Sequence, residues 1–156
     1  MQQFAPPRST SLSARRANSA GKHLGRILLV DDYDDARDTV REALEQSGHV
    51  VIEAANGQQA LNTLVSHSND SVTLIVADLQ MPVMDGWRLI ELLDCYVKLS
   101  TIPIIVITAQ DPQLERISHR GFFGYLQAPY ELDELLEMVD ACLSATAAQR
   151  AGATAH

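Results

Sequence analysis

Short apolar runs alternate with segments of helical periodicity between residues 27 and 143, and this alternation limits the possible folds most. Most of the runs are rich in Val and Ile, which is typical of strands buried on both faces of a sheet. Strands separated by helices form βαβ units with right-handed crossovers, so the pattern predicts one open, doubly wound parallel sheet with helices on both faces. The five predicted strands are 27–30, 50–54, 72–77, 102–107 and a weaker run around Tyr125 and Leu126.

The helical segments have their own start and stop signals. Asp34 or Asp35 is expected to cap a first helix that ends at Gly48. Further helices are predicted at 58–65, 87–96 and 131–143, with a short one near 114–119.

The length of the chain favours a single domain. Its 156 residues, 46% of them hydrophobic, supply one packed core. Residues 1–26 carry five basic side chains, no acidic one and no apolar periodicity, so we expect a disordered basic arm. We expect the domain to span 27–143. The Ala- and Thr-rich residues 144–156 lack the apolar spacing of a docked helix and are expected to be a disordered tail.

Charge and apolar run length argue against several classes of partner. Residues 27–156 hold seven basic and 20 acidic side chains, a balance that repels nucleic acid phosphates. The longest apolar run has four residues, too short for a membrane span or a secretory signal. Cys95 and Cys142 are widely separated, which favours free thiols. We therefore expect a cytoplasmic protein that binds neither nucleic acid nor membrane.

Carboxylates follow two of the predicted strands. The first strand leads into Asp31 and Asp32, the third into Asp78, and the fourth into Thr108. In a parallel sheet the carboxyl ends of the strands meet at one edge. One such Asp is most simply a helix cap, but three together would repel one another unless a cation neutralised them. Few protein carboxylates with open coordination suit Mg²⁺ better than Ca²⁺.

The same residues resemble the receiver domain of two-component response regulators, a flavodoxin-like fold. The resemblance covers 27–143 and is carried by VDD at 30–32, DLQMPVMDG at 78–86, ITA at 107–109 and YLQAP at 125–129. It implies that Asp78 accepts a phosphoryl group from a sensor histidine kinase or a phosphotransfer protein. It also implies a set of Mg²⁺ ligands: Asp31, Asp32, Asp78 and the main-chain carbonyl of Gln80.

The resemblance further implies how the signal leaves the domain. Thr108 is expected to hydrogen-bond the phosphoryl group and to move with Tyr125, which reshapes a face that binds a downstream protein. From the residues alone, Tyr125 is equally well an ordinary strand aromatic at the surface. The resemblance also implies a cis peptide bond before Pro129.

Two departures from the family pattern concern signal transmission. Ala128 stands where the family has a lysine that pairs with the phosphoryl group, and neither Lys22 nor Lys98 is placed to replace it. The stretch between Thr108 and Tyr125 is about two residues short. We therefore expect the fourth helix to be short, shifted or partly unwound.

The sequence leaves three functions open. The first is a receiver phosphorylated on Asp78 that signals by protein binding, and it is expected to have no enzymatic activity beyond its own phosphoryl transfer and dephosphorylation. The second is a receiver-like module that binds its partner without phosphorylation, as Ala128 suggests. The third is a small hydrolase or flavin protein, which the absence of a suitable lysine and of a Ser/Thr/Gly loop after the first strand makes weak.

Overall fold

The chain folds around one five-stranded parallel sheet. The computed structural model describes residues 23–66, 72–111 and 113–154. The strands are β1 (Arg26–Val30), β2 (Val50–Ala54), β3 (Leu74–Asp78), β4 (Ile104–Thr108) and β5 (Phe122–Gln127), and their order across the sheet is β2-β1-β3-β4-β5. The predicted fold class is confirmed.

Helices cover both faces of the sheet. They are α1 (Asp34–Gln46), α2 (Gly57–Ser66), α3 (Gly86–Asp94) and α4 (Leu132–Thr154). One apolar cluster joins β1, β3 and β4 to α2 and α3, and the other joins the opposite face of these strands to α1 and α4. β1, β3 and β4 are apolar in sequence because both of their faces are covered. None of the helices in the described ranges is both long enough and apolar enough for a membrane span.

The start of α1 and the end of α4 depart from the prediction, whereas α2 and α3 begin and end within two residues of the predicted bounds. Neither Asp34 nor Asp35 caps α1; the capping position is Tyr33, whose side chain makes no capping hydrogen bond. Both aspartates lie in the first turn instead, where negative charge is favourable beside the helix N-terminus. At the other end of the chain, α4 does not stop at Leu143.

The expectation of a disordered tail is wrong for residues 144–154, which continue α4 to Thr154. This stretch contains five alanines, the residue with the highest helix propensity. The preceding turns are fixed in the core by Val139 and Cys142, so the added residues only extend an existing helix. A regular apolar spacing indicates that a helix packs against the core. The lack of this spacing in 144–154 therefore did not exclude a helix there.

The predicted disordered arm, 1–26, is wrong at its C-terminal end. Arg26 is already the first residue of β1, and the N–H of Gly25 donates to Nδ1 of His49 at 3.0 Å. Residues 1–22 and 155–156, which complete the predicted arm and tail, lie outside the described residues.

The expectation of a shortened fourth helix is confirmed. In the described part of the segment between β4 and β5, the only helical element is the 3₁₀ turn Leu114–Arg116. Buried His119 holds the end of this segment: its Nδ1 lies 2.7 Å from Oδ1 of Asp94, and its Nε2 lies 2.9 Å from the carbonyl oxygen of Ile102. Since a carbonyl only accepts, Nε2 donates to Ile102. The segment is thus tied to α3 and to the start of β4.

Candidate phosphoacceptor and metal site

Three carboxylates meet at the carboxyl edge of the sheet, as the sequence predicts. Asp78 is the last residue of β3, and Asp31 and Asp32 directly follow β1, the neighbouring strand. Carboxylate oxygens of the three residues lie within 4.8 Å of one another. Oxygen donors grouped in this way are the ligands that hard divalent cations such as Mg²⁺ prefer, so the donor set fits the predicted metal.

Main-chain hydrogen bonds fix two of the carboxylates. Oδ1 of Asp31 accepts the N–H of Tyr33 at 2.9 Å, and Oδ1 of Asp78 accepts the N–H of Gln80 at 2.9 Å. The second bond places the main chain of Gln80, the predicted carbonyl ligand, beside Asp78. Each aspartate therefore stabilises the turn that follows its own strand.

The electrostatics of the cluster favour a cation. Partial burial and the charges of Asp31 and Asp32 raise the pKa of Asp78 to about 6, and the N–H groups of Gln80 and Leu79 only partly offset this. Burial and the charge of Asp32 likewise raise the pKa of Asp31. In each case the charged form of the carboxyl group is disfavoured. A bound cation would offset both the cost of burying this charge and the repulsion between the carboxylates.

The loop between β3 and α3 is tight and fixed at both ends. The N–H of Met84 donates to the carbonyl oxygen of Pro82 at 2.7 Å, a γ-turn with Val83 at φ 66°. The N–H of Gly57 donates to the carbonyl oxygen of Met84 at 3.0 Å, which ties the loop to α2. Gly86 closes the loop, because a Cβ there would lie 2.6 Å from the carbonyl oxygen of Asp78.

Thr108 and Tyr125 occupy different environments. Thr108 is buried at the end of β4, where its hydroxyl donates to the carbonyl oxygen of Gln110 and accepts the N–H of Gln110, both at 3.1 Å. Tyr125 pairs with Val106 in the middle of β5, and its side chain is 37% exposed. The structure thus holds Thr108 at the carboxyl edge and places Tyr125 at the surface.

The segment after β5 reaches the site without a lysine. The N–H of Ala128 donates to the carbonyl oxygen of Thr108 at 2.7 Å, and the Ala128–Pro129 peptide is cis, as the resemblance implies. Tyr130, two residues further on, is half-buried against the core. Burial and the charges of Asp31 and Asp78 raise the pKa of its hydroxyl. Sequence reasoning missed Tyr130, although it directly follows the matched YLQAP motif.

The other cations near the motifs are engaged elsewhere. The guanidinium of Arg116 stacks over the ring of Trp87 at 4.4 Å, and Arg88 pairs with Glu91 at 3.2 Å. The sequence analysis also missed Arg37, whose Nη1 donates to the carbonyl oxygen of Asp31 at 2.7 Å. No sequence motif marks this contact, because it depends on how the first turn of α1 packs against β1.

Comparison with known proteins agrees with this geometry. Residues 27–140 match the family model of the response regulator receiver domain. The response regulator MprA of Mycolicibacterium vanbaalenii is 36% identical over 126 residues, which are 78% of this chain and 51% of that protein. The chain therefore spans about half the length of this relative.

Two of the solved structures that share the fold illustrate the likeness. The signal receiver domain of a signal transduction histidine kinase from Syntrophus aciditrophicus is 30% identical with a TM-score of 0.68, covering 78% of this chain and 91% of that one. The chemotaxis response regulator CheY4 of Vibrio cholerae is 25% identical with a TM-score of 0.66, and the match covers 76% of this chain and 98% of that one. Since the family model covers most of the chain and the acidic site lies where the matched motifs predict it, the chain belongs to the response regulator receiver domain family.

Proposed function

We propose that this receiver domain accepts a phosphoryl group on Asp78 from the phosphohistidine of a histidine kinase or phosphotransfer protein. The observation that carries the proposal is the convergence of Asp31, Asp32 and Asp78 within 4.8 Å. Asp31, Asp32, Asp78 and the carbonyl of Gln80 would hold Mg²⁺. When bound, the metal neutralises charge on the transferring phosphoryl oxygens.

The protein's own residues have defined parts in this transfer. An oxygen of the Asp78 carboxylate attacks phosphorus while the bond from phosphorus to the histidine nitrogen breaks, so the electron pair leaves with the imidazole. The hydrogen bond from Gln80 N–H keeps the Asp78 carboxylate in place for the attack. The hydroxyl of Thr108 then gives up its hydrogen bond to the carbonyl oxygen of Gln110 and donates a hydrogen bond to a phosphoryl oxygen instead.

Phosphate labelling tests the assignment directly. The native chain is incubated with acetyl phosphate and Mg²⁺, and intact-mass analysis is expected to show one added phosphoryl group. Chelation of Mg²⁺ should abolish the adduct, as should Asp78→Asn. Asp85→Asn is the matched control, because Asp85 lies in the same loop but caps α3 and should leave labelling unchanged. An adduct that persists in Asp78→Asn excludes Asp78 as the acceptor.

A second candidate is a receiver that binds its downstream protein in the same way with or without phosphate. Ala128 favours it, because an alanine has no ammonium group to pair with a phosphoryl group, and so does the reduction of the fourth helix to a 3₁₀ turn in the described part of the β4–β5 segment. Pull-down from the source cell with and without beryllofluoride, which mimics the phosphoryl group, separates the two. A partner retained equally in both conditions supports this second function, whereas a beryllofluoride-dependent partner supports the first.

A further inference from the structure

We propose that Arg37 is a positioning residue, which holds the main chain of Asp31 so that its carboxylate is directed into the metal site. This inference rests on the proposed function, because it names the residue that orders one of the proposed Mg²⁺ ligands. Arg37 lies in the first turn of α1, and its side chain is only 14% exposed.

The guanidinium connects three parts of the fold. Nη1 donates to the carbonyl oxygen of Asp31 at 2.7 Å, Nη2 to Oδ1 of Asp34 at 2.7 Å, and Nε to Oε1 of Glu53 on β2 at 3.2 Å. A planar group with donors in fixed directions can satisfy three such acceptors at once, whereas a lysine ammonium reaches them as a single point. Arg37 therefore fixes the β1–α1 turn relative to β2.

Hydrogen bonds hold the peptide groups on both sides of the Asp31 Cα atom. Its N–H donates to the carbonyl oxygen of Ala54 at 3.1 Å, and its carbonyl oxygen accepts from Arg37. With both peptide groups fixed, the carboxylate has little freedom beyond rotation about its own side-chain bonds. Mg²⁺ demands near-ideal octahedral geometry, so an ordered ligand matters for its affinity.

Arg41, one turn further along α1, offers a matched comparison, because its guanidinium pairs with Glu53 at 3.5 Å and with Asp38 and Glu45 rather than with Asp31.

The test compares Arg37→Gln and Arg37→Lys with Arg41→Gln. The Kd for Mg²⁺ is measured by calorimetry at a temperature where circular dichroism shows every variant folded. Loss of a group that orients a metal ligand typically costs 10- to 100-fold in affinity. We expect a loss of about that size for Arg37→Gln, a loss of at least about fivefold for Arg37→Lys, and less than a twofold change for Arg41→Gln.

A purely structural role would lower the melting temperature and leave the Kd of the folded protein unchanged, and that result would overturn the proposal. The metal-free proteins supply an independent readout. The amide resonances of Asp31 and Tyr33 are expected to shift in Arg37→Lys and to stay in place in Arg41→Gln. If the native chain binds no Mg²⁺, the proposed metal site fails, and the amide shifts still decide whether Arg37 orders Asp31.

Discussion

The substitution Asp78→Asn tests the electrostatics of the acidic cluster most directly. It keeps an acceptor for the N–H of Gln80 and removes one of the three negative charges. The pKa of Asp78 is raised from its ordinary 3.8 to about 6, a gap of about two pH units. At 1.36 kcal/mol per unit the gap corresponds to at most about 3 kcal/mol. Because Asp78 is only partly buried, solvent screening reduces the expected effect to about 1 to 2 kcal/mol.

The sign of the effect follows from proton linkage. Well below pH 3.8, the ordinary pKa of an Asp carboxyl, the group is protonated in both the folded and the unfolded protein and contributes nothing. As pH rises through 3.8 towards 6, the unfolded chain loses this proton first, so the stability of the native protein falls, and well above pH 6 the loss is complete. Asp78→Asn should therefore stabilise the metal-free protein by about 1 to 2 kcal/mol at pH 8 and by much less at pH 4.

Urea unfolding in the presence of a chelator measures this difference. The transition is followed by circular dichroism at pH 4, 6 and 8 for both proteins. Asp85→Asn is the control and should give a slight loss at pH 8, because asparagine still caps α3 but its charge beside the helix N-terminus is gone. Saturating Mg²⁺ should reverse the order, since the native site then gains about 2.7 kcal/mol at a hundredfold excess over the Kd. A variant that is no more stable than the native chain at pH 8 without metal would refute the reasoning.

Three further substitutions address the loop and the missing lysine. Ala128→Lys should enlarge the amide shift changes that beryllofluoride causes over 108–135, because a charge-assisted hydrogen bond contributes about 1.5 to 3 kcal/mol; large native changes that the lysine leaves unaltered would contradict this. Tyr130→Phe keeps the core packing but removes the hydroxyl, whose pKa the charges of Asp31 and Asp78 raise. It should weaken beryllofluoride binding, measured by fluorescence, about two- to tenfold; unchanged affinity would show that the hydroxyl does not contact the phosphoryl group. Gly86→Ala should lower the free energy of unfolding by about 1 to 3 kcal/mol and slow labelling by acetyl phosphate, because the new Cβ meets the main chain of Asp78; a variant with native stability and labelling would refute the close contact.

The sheet could be predicted from the sequence because burial on both faces leaves a direct compositional trace. β1, β3 and β4 are runs of aliphatic residues, and their order along the chain leaves few topologies for a parallel sheet. The predicted ends of β3 and β4 were wrong by one or two residues, since these strands begin at Leu74 and Ile104 and not at 72 and 102. β5 gave a weak signal because half-buried and exposed residues alternate along it.

The acidic cluster was predictable for a related reason, since strand ends determine which residues share an edge of the sheet. Arg37 and Tyr130 were not predictable, because their interactions with the cluster depend on tertiary packing. The donor–acceptor pair of Arg37 and Glu53 spans 16 residues. Nothing in the local sequence distinguishes Arg37, which binds the carbonyl oxygen of Asp31, from Arg41, which pairs with Asp38, Glu45 and Glu53 instead.

The short connection between β4 and β5 has a consequence for the local stability of the domain. β5 is one of the two edge strands of the sheet. α4 covers one of its faces through contacts such as Met138 against Gly124, and on the other face Tyr125 is exposed at the surface. Regions with few buried apolar contacts open at a lower free energy than the core. We therefore expect the amides of residues 122–127 to exchange with solvent by local unfolding, while those of β1 and β3 exchange only when the whole domain unfolds. A protein that binds the Tyr125 face would suppress this opening, so its affinity would depend on how often the edge strand detaches.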